Sequence, residues 1–163
     1  MAQAHIPDFQ VFPSRPVPSF EVRQSLPSQL SVIPPFVDGL MSVVATCRSA
    51  DGSEIEIDLA VREALINAVA HGNHEDPNKS VEVVCHCSAD GEVAITIRDE
   101  GMGFDVKAVP DPTAPKNQMS THGRGVYLMR ALMDEVSFED GGTVVRMSKN
   151  RNIAWASPLR QLQ

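Results

Sequence analysis

No apolar run in this chain approaches the roughly 18 residues needed to cross a bilayer, and Lys and Arg number only 14 against 21 Asp and Glu. The first shortage excludes a membrane-spanning helix. The second gives a formal net charge of −7 and a pI near 5.1. That balance opposes nucleic-acid binding, because clustered Lys and Arg neutralising phosphates supply most of such affinity. A protein or a small ligand is the expected partner. The opening stretch MAQAHIPDFQVFPSRPVPSF lacks the basic start, long apolar segment and small-residue cleavage site of a secretory signal, so a cytoplasmic chain is expected. Cysteine is sparse too: Cys47, Cys85 and Cys87 make an odd set of 3, which suits a reducing compartment better than a disulfide framework. Cys85 and Cys87 flank His86, but alternation along a strand sends both thiols one way and the imidazole the other, against a metal site.

What is present is a composition of 42% hydrophobic and 21% charged residues over 163 positions, enough for one globular domain with its own core. Residues 1–19, with prolines at 7, 13, 16 and 18, read as an extended, poorly ordered arm. Residues 20–149 carry the periodic pattern of the domain, and residues 150–163, including Trp155, read as a surface extension.

Phe20 to Arg23 reads as a first strand. Ser28 to Cys47 then places Leu30, Ile33, Val37, Leu40 and Val44 at helical spacing, with a start expected at Pro34 and Pro35, since proline is tolerated only in a first turn. A second helix is expected from Asp58, its cap, to His71-Gly72, burying Leu59, Leu65 and Ala68. Ser80 to Ser88 and Glu92 to Asp99 read as strands joined at Asp90-Gly91, a hairpin signal. Ala108 to His122, with three prolines and no period, reads as a lid or linker loop. Val126 to Val136 reads as a third helix and Thr143 to Ser148 as a last strand after Gly141-Gly142.

Three clusters carry chemistry. Glu63, Asn67 and His71 recur at every fourth position in REALINAVAHGN, along one side of the second helix with a drift of about 40° per step. Alone, such a row is also what a solvated face looks like. Asp99-Glu100-Gly101-Met102-Gly103 follows a strand directly; the carboxylate at the strand end can accept from an exocyclic amine, and the glycines permit close approach of a ligand. Alone, it is more often a turn, or part of a metal loop, than a nucleotide pocket. His122-Gly123-Arg124-Gly125 opens the third helix, where backbone N–H groups and the positive helix end favour an anion, though an ordinary helix start has the same form.

Taken together and in this order, the clusters resemble the GHKL superfamily of gyrase, the heat-shock ATPase chaperones, histidine kinases and MutL-type repair proteins. Glu63, Asn67 and, more loosely, His71 match its N box; Asp99, Gly101 and Gly103 match G1; Gly123 and Gly125 match G2; Gly142-Thr143 resembles the final glycine-threonine element. The resemblance runs from about Phe20 to Met147, and EALINAVAHGN with GRGVYLMRALMDEV is most similar to the bacterial anti-sigma-factor serine kinases.

The resemblance implies an α/β two-layer sandwich of the GHKL (Bergerat) type, a mixed and mostly antiparallel sheet with helices on one face. It implies an ATP site in which Asn67 ligates Mg2+, Asp99 reads the adenine amine, Gly101, Gly103, Gly123, Gly125 and Thr143 line the nucleotide, and Glu63 is the general base. Many of these kinases carry a basic residue just before the first G2 glycine; Thr121-His122 stand there instead, leaving Arg124 or Lys116 as the phosphate-stabilising cation. The implied function is a serine/threonine-protein kinase that sequesters a sigma factor and phosphorylates an antagonist protein, working as a homodimer. A non-catalytic nucleotide-dependent switch is the alternative, and a histidine-kinase ATP-binding domain a more distant one, since no upstream coiled-coil helix bearing a phosphoacceptor is expected.

Overall fold

A computed structural model describes residues 19–48, 52–105 and 123–150. The expected arm, the lid segment with Lys116, and the C-terminal extension with Trp155 lie outside the described residues.

The elements run β1 (Phe20–Pro27), a short 3-10 turn (Leu30–Val32), α1 (Ile33–Arg48), α2 (Glu54–Ile66) passing into a π-helical turn (Asn67–Gly72), β2 (Ser80–Cys87), β3 (Val93–Arg98), α3 (Arg124–Leu132), β4 (Glu135–Glu139), a 3-10 turn (Asp140–Gly142) and β5 (Val144–Lys149). The strands form one sheet in the order β1-β2-β3-β5-β4. Each neighbouring pair is antiparallel, so the mixed sheet expected from the resemblance is wholly antiparallel.

The strands alternate. Val81, Val83, Cys85 and Cys87 of β2 and Val93, Ile95 and Ile97 of β3 are buried, while their neighbours are not. That inner face packs on Ile33, Val37, Leu40 and Val44 of α1 and on Ile57, Ala60, Val61, Ala64 and Leu65 of α2, each large apolar side chain contributing roughly 1.5–3 kcal/mol by leaving water. The outer face is polar, with exposed pairs such as Arg146 Nε to Glu139 Oε2 at 2.8 Å that contribute little to stability.

Several expected boundaries move. β1 continues past Arg23 to Pro27 because its whole length is paired, from Phe20 opposite Cys87 to Pro27 opposite Ser80; its polar residues reflect an edge position. α2 begins at Glu54 rather than Asp58, with Glu54 and Glu56 in the first turn, where carboxylates complement the helix dipole. Asp58 is no cap: it lies inside the helix and accepts from Arg62 Nε at 2.8 Å, while Arg62 Nη2 reaches Asp38 of α1 at 2.7 Å. The row that faces the core is therefore Ile57, Val61, Ala64, Leu65 and Ala68, and Leu59 is 43% exposed. α3 stops at Leu132; of the residues expected to extend it, Met133 and Asp134 turn the chain and Glu135 and Val136 enter β4.

Cys85 is free and buried, and burial pushes its thiol up to about 11. Cys87 is disulfide-bonded, a departure from the expected set of unlinked thiols, since a count of cysteines does not say which lie within bonding reach. His86, between them, is exposed on the opposite face. No helix among the described residues is long and apolar enough to cross a membrane.

Candidate functional site

The polar row of α2 is not a solvated face. Glu63 and Asn67 are both partly buried, and what covers them is the start of α3. A Cβ built on Gly125 would stand 2.9 Å from Asn67 Nδ2 and 3.0 Å from Glu63 Oε2, so a side chain here would displace the ends of both residues. The residue before the helix, Gly123, has φ +86°, a left-handed conformation that glycine adopts without penalty. Its carbonyl accepts from Tyr127 N–H at 3.0 Å, which begins the helix. A carboxylate, an amide and the positive end of a nine-residue helix thus meet at one place.

At its C-terminal end α2 widens into the π-helical turn, closed by Asn73 N–H to Ala68 O at 2.8 Å, an i to i+5 bond. The widened turn presents the backbone of Gly72 to Asp99. A Cβ on Gly72 would lie 2.5 Å from Asp99 Cγ, and one on Gly101 would lie 2.8 Å from Asp99 Oδ1 and overlap the Gly72 carbonyl. Both glycines are required by the close approach of the two segments.

Asp99 sits at the end of β3, fixed by its N–H to Thr143 O at 3.0 Å and by Gly101 N–H to its Oδ1 at 2.8 Å. Burial pushes its carboxyl above the usual aspartate range, against the pull of the Gly101 N–H and of the Lys79 charge. One carboxylate oxygen is therefore used internally, leaving Oδ2 as the atom able to accept from an outside donor.

The Asp99 turn is braced from both sides. Asn73, whose exposure is 0%, donates from Nδ2 to Ser80 O at 2.9 Å and accepts at Oδ1 from Glu100 N–H at 2.8 Å. Glu100 Oε1 accepts from Ser80 N–H at 2.7 Å and Ser80 Oγ at 2.8 Å; these bonds hold its carboxyl below the usual range. On the far side Phe104 N–H donates to Gly141 O at 2.9 Å, and Gly103, at φ +73°, lies hard against that same carbonyl.

The structure thus gathers Glu63, Asn67, Gly123 and Gly125 at one end, and Asp99, Gly101, Gly103 and Thr143 at the other, with α2 and its π-turn joining them. Thr143 Oγ1 donates to Asp140 O at 3.0 Å, so this residue touches the cluster through its backbone carbonyl and methyl group. Arg124 is exposed at the first position of α3. His71 is exposed and lies in the π-helical turn that follows α2. Lys116 lies outside the described residues. Sequence reasoning missed Gly72, Asn73 and Glu100 as parts of the site. Gly72 reads as an ordinary helix stop and Asn73 as a loop residue, and the one local signal is an amide directly after the glycine that ends the helix.

A family model described as a histidine kinase-like ATPase domain matches residues 26–149. The chain is similar to the anti-sigma F factor of Heyndrickxia coagulans, 37% identical over 95 residues that cover 55% of this chain and 65% of that protein. It is also similar to the serine-protein kinase RsbW of Bacillus subtilis (strain 168), 35% identical over 120 residues that cover 69% of this chain and 74% of that one. The match thus spans a little under two thirds of the first relative and about three quarters of the second. Among solved structures, a histidine kinase domain from the Erythrobacter litoralis EL346 blue-light activated histidine kinase has a TM-score of 0.45 at 18% identity, covering 72% of this chain and 60% of that one.

Proposed function

Because the chain belongs to the histidine kinase-like ATPase domain family, we propose that it is an ATP-dependent protein serine/threonine kinase of the anti-sigma-factor type. The residues present fit the nucleotide. Asp99 Oδ2 offers an acceptor suited to an exocyclic amine, and Gly125 lets the start of α3 come within about 3 Å of Glu63 and Asn67, so that a carboxylate, an amide oxygen and helix N–H groups face one place.

In this reading Asp99 holds the adenine amine at one end of the cleft, and the first turn of α3 with Gly123 and Gly125 offers N–H donors to the phosphates at the other. Asn67 Oδ1 is a neutral oxygen ligand of the kind Mg2+ accepts. Glu63, one turn before Asn67, takes the proton from the attacking serine hydroxyl. Bound Mg2+-ATP supplies the transferable phosphoryl group, and the chain contributes mainly position and charge complementarity. Arg124 is the candidate cation within G2, and Lys116 the candidate from the lid. The relatives named anti-sigma F factor and serine-protein kinase support a sigma factor as partner and a serine hydroxyl as acceptor; sequestration of the former, and an antagonist protein as bearer of the latter, belong to the resemblance. Action in the cytoplasm and as a homodimer belongs to the same reading.

The observation that carries it is the convergence of Glu63 and Asn67 on Gly125 at the start of α3. Glu63→Gln is the test, read by calorimetry with Mg2+-ATP and by phosphotransfer to a serine-bearing antagonist protein. Retained binding with transfer reduced by about 10²-fold or more fits a general base. Undiminished transfer would remove Glu63 from that role, and phosphate found on histidine would replace the serine-kinase reading.

A further inference from the structure

Asn73 is a fully buried amide whose two ends satisfy two different segments. Its Oδ1 accepts from the Glu100 N–H at 2.8 Å and its Nδ2 donates to the Ser80 carbonyl at 2.9 Å. The partners dictate which end is oxygen, because an N–H must meet an acceptor and a C=O a donor. Its own N–H closes the π-turn on Ala68 at 2.8 Å. One residue therefore ties together the end of the α2 segment, the start of β2 and the turn that carries Asp99.

The arrangement is tight enough for small shifts to matter. Gly72, adjacent to Asn73, is so close to Asp99 that a single Cβ would meet its carboxylate at 2.5–2.7 Å. Glu100, adjacent to Asp99, is held by Asn73 from inside and by Ser80 through its own carboxylate. Moving the Glu100 N–H reorients the peptide between Asp99 and Glu100, and with it the direction in which Asp99 Oδ2 points.

We propose that Asn73 is a positioning residue that sets base specificity: by holding the Glu100 N–H it aims Asp99 Oδ2 at the exocyclic amine of adenine. The proposal rests on the nucleotide reading given above. Asn73 touches no nucleotide in this scheme. It acts through the Asp99 turn, so its loss should cost discrimination for the amine rather than binding of the triphosphate.

The test compares ATP with purine riboside triphosphate, which lacks the amine, by calorimetry on the full chain, and follows hydrogen exchange at the Glu100 amide without nucleotide. The wild-type chain should prefer ATP by about tenfold or more, since a site built around a donor rejects an analogue lacking it. Asn73→Ser should expose the Glu100 amide to exchange and lower ATP affinity by about tenfold, with purine riboside triphosphate affinity within about twofold of wild type. Asn73→Asp keeps an acceptor for the Glu100 N–H and puts a carboxyl oxygen against the Ser80 carbonyl, so the buried acid is held in its neutral form and the fold is weakened; it should retain slow exchange at Glu100 and most of the preference. Equal weakening of both nucleotides in Asn73→Ser, or loss of preference in Asn73→Asp with Glu100 still protected, overturns the proposal in favour of a generic structural role. Unchanged exchange at Glu100 in Asn73→Ser overturns it as well. A wild-type chain that binds both nucleotides equally, or neither, defeats the assignment of Asp99 to the adenine amine, while exchange at Glu100 still decides whether the brace exists.

Discussion

Gly125 and Glu63 are separated by less than one methyl group: a Cβ on Gly125 would stand 3.0 Å from Glu63 Oε2 and 2.9 Å from Asn67 Nδ2. The start of α3 is thereby keyed to the polar row of α2. Gly125→Ala must push α3 outward or drive Glu63 and Asn67 off their positions. Helix propensity favours alanine by about 1 kcal/mol, so this substitution is expected to leave the fold intact. Phosphotransfer should fall by about tenfold or more, because displacement of reacting groups by an ångström is costly. A single-turnover assay checks it, and wild-type transfer in Gly125→Ala would dissociate this contact from catalysis.

Asp99 makes stability and recognition respond to pH in opposite senses. Burial raises its carboxyl above the ordinary aspartate range, so the folded chain binds this proton more tightly than the unfolded one. Its contribution to stability is present below the unfolded value and is lost as pH rises through the raised folded value. An adenine amine needs the ionised form, so ATP affinity should fall as pH drops through that same raised value. In Asp99→Asn the amide oxygen is claimed by Gly101 N–H, and an NH2 group then faces the adenine amine, donor against donor. That variant should lose about tenfold or more in ATP affinity, keep a melting temperature at neutral pH no lower than wild type, and show no pH dependence of binding from this group. Calorimetry and thermal melts across the acidic range check each part.

Much of this arrangement is legible in the sequence, and the exceptions have physical causes. β2 and β3 alternate strictly and meet at Asp90-Gly91, so their pairing could be read directly. β4 was hidden because Val126, Met129, Met133 and Val136 continue a helical spacing across the boundary; pairing of Val136 with Met147 and Phe138 with Val145 overrides it. Local pattern carries no information about such a partner. The polar row of α2 was visible as a spacing, but whether water or α3 covers it depends on a contact some sixty residues away in the chain, between Asn67 and Gly125. The passage of α2 into a π-turn over Asn67–Gly72, which holds His71, leaves no mark in an every-fourth-residue count. Asn73 is hidden for a related reason: it joins Ser80, seven residues on, to Glu100, 27 residues away, and the second partner leaves no mark in the local pattern.

Lys149 is a clasp at the opposite end of the helical layer. Its Nζ meets Leu132 O at 2.6 Å, Glu56 Oε2 at 2.6 Å and Asp134 Oδ1 at 3.5 Å, so one charge binds the end of α3, the first turn of α2 and the turn before β4. Burial pulls its ammonium down, yet Glu56 and Asp134 together more than offset that and leave it above the usual lysine range. Its contribution is therefore complete below the ordinary lysine value and is lost as pH rises through the raised one. Lys149→Met, which keeps the length and removes the charge, should cost about 1–3 kcal/mol in urea unfolding. The difference from wild type should shrink at strongly alkaline pH, and a difference independent of pH would assign the loss to packing instead.

Gly39 offers the contrasting glycine. It lies in the interior of α1, exposed, and a Cβ built on it meets nothing within 4 Å; it lines an apolar groove of about 260 Å³ with Val22, Pro35, Phe36, Leu40 and Val43. Glycine inside a helix costs roughly 0.5–1 kcal/mol relative to alanine, through the larger entropy of the unfolded chain. Gly39→Ala should therefore stabilise the chain by about that amount and raise the melting temperature by roughly 2–4 °C, leaving phosphotransfer unchanged because neither end of the site touches α1 at this point. The same chemical change at Gly125 meets Glu63 and Asn67 at about 3 Å and is expected to damage activity. Both changes add the same methyl to a helix, so paired melts and transfer assays compare what it encounters at each place. Loss of stability in Gly39→Ala would mean that the open space above this helix is filled in solution.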